Sequence, residues 1–349
     1  MTEKTTPFKL GYSMPAEWVR HDATWISWPK NPMSFPEDIL PEVEKTYVAM
    51  VSALAEGEKV NILVDDAAMQ ERVRSILPNG KNSDSILIHL IKTADVWFRD
   101  YGPIFVTHSG PKGAGMAFTH WEFNAWGNKY DDLKADTEIP SLLPIKGMPE
   151  FKAPMVLEGG SIDVNGRGAL ITTEQCLLNK NRNPGLSREQ IELNLREYLG
   201  ATKVIWLKGG IEGDDTDGHI DDVARFVSPD TVVCAVDEDK GDDNYGILQE
   251  NYRTLRGASD QDGKRLKVVP LPMPGPVIIH GQRLPASYAN FYISNAAVLV
   301  PTFQDENDPK ALDIIRGLFP GRKVIGINCR ELVYGFGTIH CATQQQPGI

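Results

Sequence analysis

Five segments of this chain share one pattern, in which polar residues open a short apolar run that turns back into a second one. They lie at 99–107 (RDYGPIFVT), 158–172 (EGGSIDVNGRGALIT), 219–235 (HIDDVARFVSPDTVVCA), 290–303 (NFYISNAAVLVPTF) and 340–345 (HCATQQ). The apolar runs read as strands, and Asn165-Gly166, Ser228-Pro229-Asp230 and Ser294-Asn295 supply turn chemistry suited to hairpins. The starts recur at roughly 50 to 70 residues, the period of a fold that reuses one supersecondary unit. The last segment has a single strand, whereas 21–29 (HDATWISWP) is a strand without a partner near the start. Pairing the two completes a fifth unit and closes the chain on itself, as circular repeat folds do.

Between the hairpins come β-branched runs at 60–64 (VNILV), 86–91 (ILIHLI), 204–207 (VIWL), 266–269 (LKVV) and 324–327 (VIGI), which read as buried strands. Amphipathic helical stretches lie at 42–55, 67–77, 187–199 and 310–318; Ser187 with Gln190 forms a capping box for the third, and Gly200 ends it. The competing reading is an ordinary α/β fold whose strands merely recur. At 349 residues the chain is two common domains or one large repetitive unit, and no low-complexity linker or shift in composition divides it. Its apolar content of 41% becomes about 47% when Gly replaces Tyr in the count, so a sizeable core can form. No run approaches the ~18 apolar residues of a membrane span, and the start, MTEKTTPFKLGYSMP, lacks the apolar centre of a signal peptide. The expected location is the cytoplasm. With 36 Lys and Arg against 47 Asp and Glu, the net charge of −11 argues against nucleic acid and for a cationic partner.

In four of the five units the opening residues can carry chemistry: Asp100, Glu158, His219 with Asp221, and Cys341. Units set about a common axis would bring them to one pocket. A thiol with an imidazole in reach is the minimum for nucleophilic catalysis, the thiolate attacking and the imidazole moving the proton. Carboxylates around a thiol suppress its ionisation by like-charge repulsion, which suits a neutral substrate badly. A guanidinium or amidinium reverses this, because it neutralises the acids as the thiolate attacks, and two carboxylates grip the planar cation by paired hydrogen bonds.

Each residue also has an ordinary reading. The four cysteines, Cys176, Cys234, Cys329 and Cys341, show no CxxC spacing, which argues against a disulfide framework or a zinc site. Cys176 and Cys234 lie in apolar runs and read as small core residues, and Cys329 follows an apolar strand. Cys341 instead follows GFGTIH and precedes ATQQQ, a setting that favours the nucleophile. Adjacent residues on a strand face opposite ways, so His340 is a poor base for that thiol. Around His219, the acids of 213–222 (GDDTDGHIDD) could ligate calcium or magnesium, but the glycine and distal Glu of an EF-hand are out of register. The H-x-D pair puts imidazole and carboxylate on one side of a strand. Asp100 could pair with Arg99 at the surface, although Trp97 beside them suggests a wall on which a planar cation stacks. Glu158 could be an exposed strand-end acid, but Gly159-Gly160 permits close approach of another chain or a ligand.

Five ordered motifs, MPAEWVRHDATWISWP, WFRDYGPIFV, LEGGSIDVNGRGALITTEQCLLNKNRNP, GDDTDGHIDDVARFV and IHCATQQQP, span nearly the whole chain. Together they resemble the signatures of the agmatine deiminase family, which includes the bacterial Porphyromonas-type peptidylarginine deiminases and belongs to the guanidino-group-modifying superfamily. The resemblance implies an α/β fold, a single domain over 1–349 built as a five-fold pseudosymmetric propeller (pentein) of ββαβ-type repeats around a central active site. It implies hydrolysis of agmatine to N-carbamoylputrescine and ammonia through a covalent amidino-cysteine intermediate, in putrescine and polyamine synthesis, without cofactor or metal. Carried position by position, it makes Cys341 of I-H-C the nucleophile and His219 of G-H-I-D the group that protonates the departing ammonia and then activates water. Glu158 of E-G-G would orient and polarise that imidazole. Asp100 of F-R-D and Asp221 of H-I-D would hold the guanidinium, and Trp97 would line the channel for the alkyl chain. Phe336, in a stretch where related enzymes are richer in glycine, narrows or reshapes the mouth. Peptidylarginine and free arginine are the alternative substrates, and a non-catalytic ring-shaped binding protein is the alternative from another class. The expected partner is a small cationic guanidinium molecule, with no nucleic acid and no membrane; a homo-oligomer is compatible with the sequence.

Overall fold

The computed structural model describes residues 5–78, 80, 82–110 and 113–349. Residues 1–4, part of the start that is read as no signal peptide, lie outside the described residues.

The strands sort into six separate sheets, and no closed sheet forms among the described residues. Five of the six share one topology, an antiparallel pair followed by a parallel strand. Ile104–Gly110 pairs with Gly113–Glu122 and then Glu150–Val156. Asp163–Val164 pairs with Ala169–Thr173 and then Lys203–Leu207. Ala224–Ser228 pairs with Thr231–Val236 and then Lys267–Pro272. Tyr292–Ile293 pairs with Ala297–Thr302 and then Lys323–Asn328. In the fifth sheet Gln344–Pro347 pairs antiparallel with His21–Ser27, which continues through Lys59–Val64 to Ile86–Leu90 in parallel. The two ends of the chain therefore share a sheet, as the partnerless strand near the start requires. The sixth sheet is a hairpin, Val277–Ile279 with Gln282–Leu284.

A parallel strand needs a crossover, and in four units a helix provides it: Leu40–Leu54, Arg188–Leu199, Asn244–Gly257 and Asp308–Leu318. Arg188–Leu199 starts on the reciprocal Ser187–Gln190 box and stops at left-handed Gly200; its buried Ile191, Leu195, Tyr198 and Leu199 follow the helical period. Asn244–Gly257 is a helix that the apolar pattern misses, because a polar residue holds one of its core positions. Asn251 is fully buried, accepting from the Lys208 amide and donating to the Gly209 carbonyl.

Two expectations are corrected. Four of the runs read as buried are not: Ile86–Leu90 has no buried residue, and Lys203–Leu207, Lys267–Pro272 and Lys323–Asn328 each keep exposed or half-buried positions, because each forms the edge of its sheet. Lys59–Val64, with a neighbour on both sides, is buried after its first residue.

The second correction concerns the polar openings, which are not strand residues. They lie in, or directly before, single helical turns placed ahead of the strands: Asp100 in Phe98–Tyr101, Glu158 before Gly159–Ser161, His219 before and Asp221 within Ile220–Asp222, and Cys341 in Ile339–Ala342. Phe98–Tyr101 packs against both Gly159–Ser161 and Ile339–Ala342, and Gly159–Ser161 packs against Ile220–Asp222. Four turns from four units thus meet at one place. Among the described residues no helix is long and apolar enough to cross a membrane.

Candidate active site

Each turn delivers its polar residue into the same buried volume. Glu158, His219 and Asp221 are 0% exposed, and Asp100 and Cys341 are 4% exposed. The Cys341 thiol donates to Asp221 Oδ2 at 3.5 Å, and Asp100 Oδ1 lies 3.7 Å from His219 Nδ1. Glu158 and the sulfur of Cys176 both lie against the His219 ring. All five chemistry-bearing residues that sequence reasoning selects from four openings are therefore brought together, and Trp97 lines the cavity that leads to Cys341. Gly160 explains how the groups come so close. A Cβ there would sit 2.6 Å from His219 Nδ1, 2.8 Å from Asp100 Oδ1 and 3.1 Å from Asp221 Oδ2.

Two sequence-level readings change. His219 stands at the entry to the turn and Asp221 within it, so turn geometry, and not a strand face, places them side by side. Arg99 is not a surface partner of Asp100: it is buried, donates to Gln345 and the His340 carbonyl, and lies 3.6 Å from Glu17.

The residues missed by sequence reasoning are mostly those that hold the others. Asn290 is the opening residue of the fourth hairpin segment, so its position carries the signal, but its neutral side chain does not mark it as a catalytic candidate. Its Oδ1 accepts from Thr338 Oγ1 and from the amides of His340 and Cys341, which forces Nδ2 toward the Cys341 sulfur at 3.0 Å and Asp222 at 3.0 Å. Arg182 Nε donates to Glu158 Oε1 at 2.6 Å, while its other nitrogens reach Asp217 and the Thr216 carbonyl. Trp126 Nε1 donates to Asp100 Oδ2 at 2.9 Å, and Gly160 N donates to Oδ1 at 3.0 Å. Trp126 belongs to four successive residues with positive φ, Ala125 (52°), Trp126 (52°), Gly127 (90°) and Asn128 (64°). Left-handed backbone costs on the order of 1 kcal/mol for each residue with a side chain, so this turn is kept where it fixes a functional carboxylate. Cys176 is buried as expected, but it sits beside His219, not in an inert part of the core.

The electrostatics divide the acids. Burial opposes ionisation of Asp221, but His340, with His219 and Arg225 behind it, outweighs burial and holds this carboxyl below its ordinary value. Asp100 is pushed up to about 6, by burial first and then by Asp221 and Glu158 against the favourable charge of His219. Asp222 is raised well above the carboxylate range by burial and by Asp221. The Cys341 thiol is raised well above an ordinary cysteine by burial, then by Asp221, Asp222 and Asp100. Burial would lower His219, yet Asp100, Cys176 and Glu158 carry it well above an ordinary histidine, which favours the charged ring. The resting site therefore favours a protonated thiol beside a protonated imidazole. A cation bound here would stabilise the thiolate and loosen the hold of the acids.

A cavity of about 140 Å³ connects Cys341 to the outside past Trp97, Trp126, Tyr130, Leu133 and Phe336, with Asp95, Asp132 and Asp215 among its polar lining. At ~10–15 Å³ for each water-sized position this is room for on the order of ten, the scale of one short-chain molecule. Phe336 takes left-handed backbone (φ 69°) between Gly335 and Gly337, whose positions would place a Cβ 2.7 and 2.6 Å from the Trp97 ring. Of the acids in 213–222, Asp214 caps the amides of Thr216 and Gly218, Asp215 accepts from Tyr130, and Asp217 accepts from Arg182 and Asn181. They serve the loop. Two groups could still hold an ion by geometry, Glu158 with Cys176 and His219, and Asp221 with Asp222 and Cys341. Both consist of the groups just described, and Arg182 beside the first is a competing cation.

Comparison with known proteins gives a consistent result. The family model of the Porphyromonas-type peptidyl-arginine deiminases matches residues 13–347. An agmatine deiminase of Ectopseudomonas mendocina is 39% identical, with 99% of this chain and 98% of that protein covered. The solved structure of the agmatine deiminase of Enterococcus faecalis superimposes with a TM-score of 0.91 at 34% identity, covering 99% of this chain and 98% of that one. A cysteine-to-serine variant of the C. jejuni agmatine deiminase, solved with substrate bound, gives 0.86 at 32% identity, with 96% of each chain covered.

Proposed function

Because this chain belongs to the Porphyromonas-type peptidyl-arginine deiminase family, we propose that it is an agmatine deiminase, a hydrolase acting on the C–N bond of a linear amidine. The observation that carries this reading is chemical complementarity. Glu158 Oε2 and Asp221 Oδ1 are buried acceptors with no partner among the described residues, next to a thiol and an imidazole whose charged form is favoured. A guanidinium brings a planar fan of N–H donors to such acceptors and exposes its central carbon between them.

In the proposed mechanism Asp100 and Asp221 hold the guanidinium and Trp97 lines the path of its alkyl chain. The bound cation offsets the charges that raise the Cys341 thiol, which gives its proton to water in the open cavity, and the resulting thiolate adds to the guanidinium carbon, supported by the Asn290 N–H. The tetrahedral adduct breaks one C–N bond, and His219, entering as imidazolium, gives its proton to the departing ammonia. The neutral ring then takes a proton from water as its oxygen adds to the amidino carbon. Cleavage of the C–S bond releases the ureido product and restores the thiol. Glu158, anchored by Arg182, orients the ring through both halves of the cycle.

The narrow apolar approach to Cys341 favours agmatine over an arginine within a polypeptide, since it has room for a single chain. We also read the five units as one domain of blades set about an axis through this pocket. That reading is supported by their common topology and by the turns that converge on the site. Ammonia and ureido product should be assayed side by side on agmatine, arginine and an arginyl peptide. Agmatine turnover far above the other two is expected; faster release from the peptide would move the assignment to peptidylarginine, and no release from any would end it.

A further inference from the structure

His340 directly precedes Cys341, yet the helical turn Ile339–Ala342 sends its ring away from the sulfur and between two carboxylates. Nδ1 lies 2.7 Å from Asp221 Oδ2, and Nε2 lies 2.8 Å from Glu17 Oε2. An ionised carboxylate only accepts hydrogen bonds, so each nitrogen must supply an N–H, and a ring with two N–H groups is a cation. A neutral ring would turn a lone pair on one of the oxygens. We propose that His340 is a buried imidazolium that clamps Asp221 to Glu17 and, acting through Asp221, fixes the carboxylate that receives the substrate cation.

Glu17 is itself fixed. Its Oε2 also takes Arg225 Nη2 at 2.8 Å, its Oε1 takes the Ile293 amide at 2.8 Å, and Arg99 lies 3.6 Å away. Arg225 continues to Asp163 Oδ2 at 2.5 Å. Charges therefore alternate along Asp221, His340, Glu17, Arg225 and Asp163, a buried chain that ties the MPAEW segment to the turn carrying the nucleophile. Its consequence at the site is directional. Because Oδ2 of Asp221 is taken by His340, Oδ1 is the oxygen left without a partner. The charged groups facing this chain are Arg99, Asp222 and His219 in addition to its members, and Cys341 touches it through Asp221.

The role in turnover rests on the deiminase reading above, whereas the protonation state does not. Ring-nitrogen NMR of the full-length protein, with the His340 signals identified by their loss in His340→Gln, should show both nitrogens protonated at neutral pH, as the two carboxylate contacts require. One unprotonated nitrogen at neutral pH would overturn the proposal. Glu17→Gln, which touches neither thiol nor cavity, should release the ring to titrate, so that kcat/KM on agmatine falls about tenfold or more at high pH and recovers as the pH is lowered. An equal loss at every pH would mean a merely structural role and would also overturn it. If the wild-type protein releases no ammonia from agmatine, the deiminase reading fails while the NMR result still decides the clamp.

Discussion

Cys341 holds its proton tightly in the resting protein, since burial and three nearby acids all raise the thiol. A neutral alkylating agent should therefore modify it slowly at neutral pH and faster as the pH rises past the ordinary cysteine value of about 8.5. A haloacetamidine, which brings its own positive charge, should react selectively at neutral pH and be blocked by agmatine. Equal rates for the two reagents, or no preference for Cys341 over the other three cysteines, would contradict the electrostatic account. Asp100, raised to about 6, gives a second prediction with a definite sign. Below about 6 it gains a proton and loses the charge that holds a guanidinium, so KM for agmatine should climb as the pH falls, and Asp100→Asn should lack that limb. Linkage runs the opposite way: a carboxyl with a raised folded pKa favours the fold while it is protonated, so as the pH rises from about 4 to about 6 the wild type should lose stability relative to Asp100→Asn. At this scale the sequence was legible wherever a residue was charged or nucleophilic and opened a hairpin. Asn290, Arg182 and Trp126 escaped because they act by fixed hydrogen bonds to those residues, and such bonds depend on contacts formed over tens of positions.

The single helical turns are what the strand-based reading could not anticipate. Four residues such as Phe98–Tyr101 or Ile339–Ala342 are too few to show a helical period, and their neighbours are rich in strand formers. Turn geometry nevertheless decides which way His219, Asp221, His340 and Cys341 point. Gly160→Ala tests the closeness of the packed turns. Its new Cβ meets ring and carboxylate atoms that have no free direction to move, so activity should fall by on the order of a hundredfold, as for a misplacement of ~1 Å. An active Gly160→Ala protein would mean the turns are farther apart than described. Ser187→Ala serves as the contrast. Losing the capping box of Arg188–Leu199 should cost about 1 kcal/mol by thermal or chemical unfolding and leave kcat/KM unchanged. Trp126→Phe keeps the apolar wall but frees Asp100 Oδ2, and should raise KM more than it lowers kcat.

For the whole molecule, recurrence in the sequence carried the architecture further than any single element did. The ββαβ order and the pairing of the two chain ends were both readable, because a strand without a partner near one end and a half-unit near the other have one simple solution. The unit that spans 104–156 was harder to see, since short turns across 131–142 take the place of a crossover helix. A chain shortened after Thr343 loses Gln344–Pro347, the strand that pairs with His21–Ser27 directly behind Cys341. It should be inactive and unfold at lower temperature than the full chain; full activity would refute the dependence of the site on this closure. The net charge of −11 has little to do with the substrate as a total. What selects a cation is the set of acids that the folded chain buries around Cys341, of which Asp221 is held ionised and Asp100 is poised near neutrality.

The central claim is that Cys341 attacks a guanidinium carbon. Mass spectrometry of protein quenched by acid during agmatine turnover tests it most directly. The account predicts an amidino adduct on the peptide containing Cys341, present in the wild type and absent, together with all ammonia release, in a folded Cys341→Ala variant. An adduct on another cysteine, or ammonia release by the Ala variant at the wild-type rate, would contradict it.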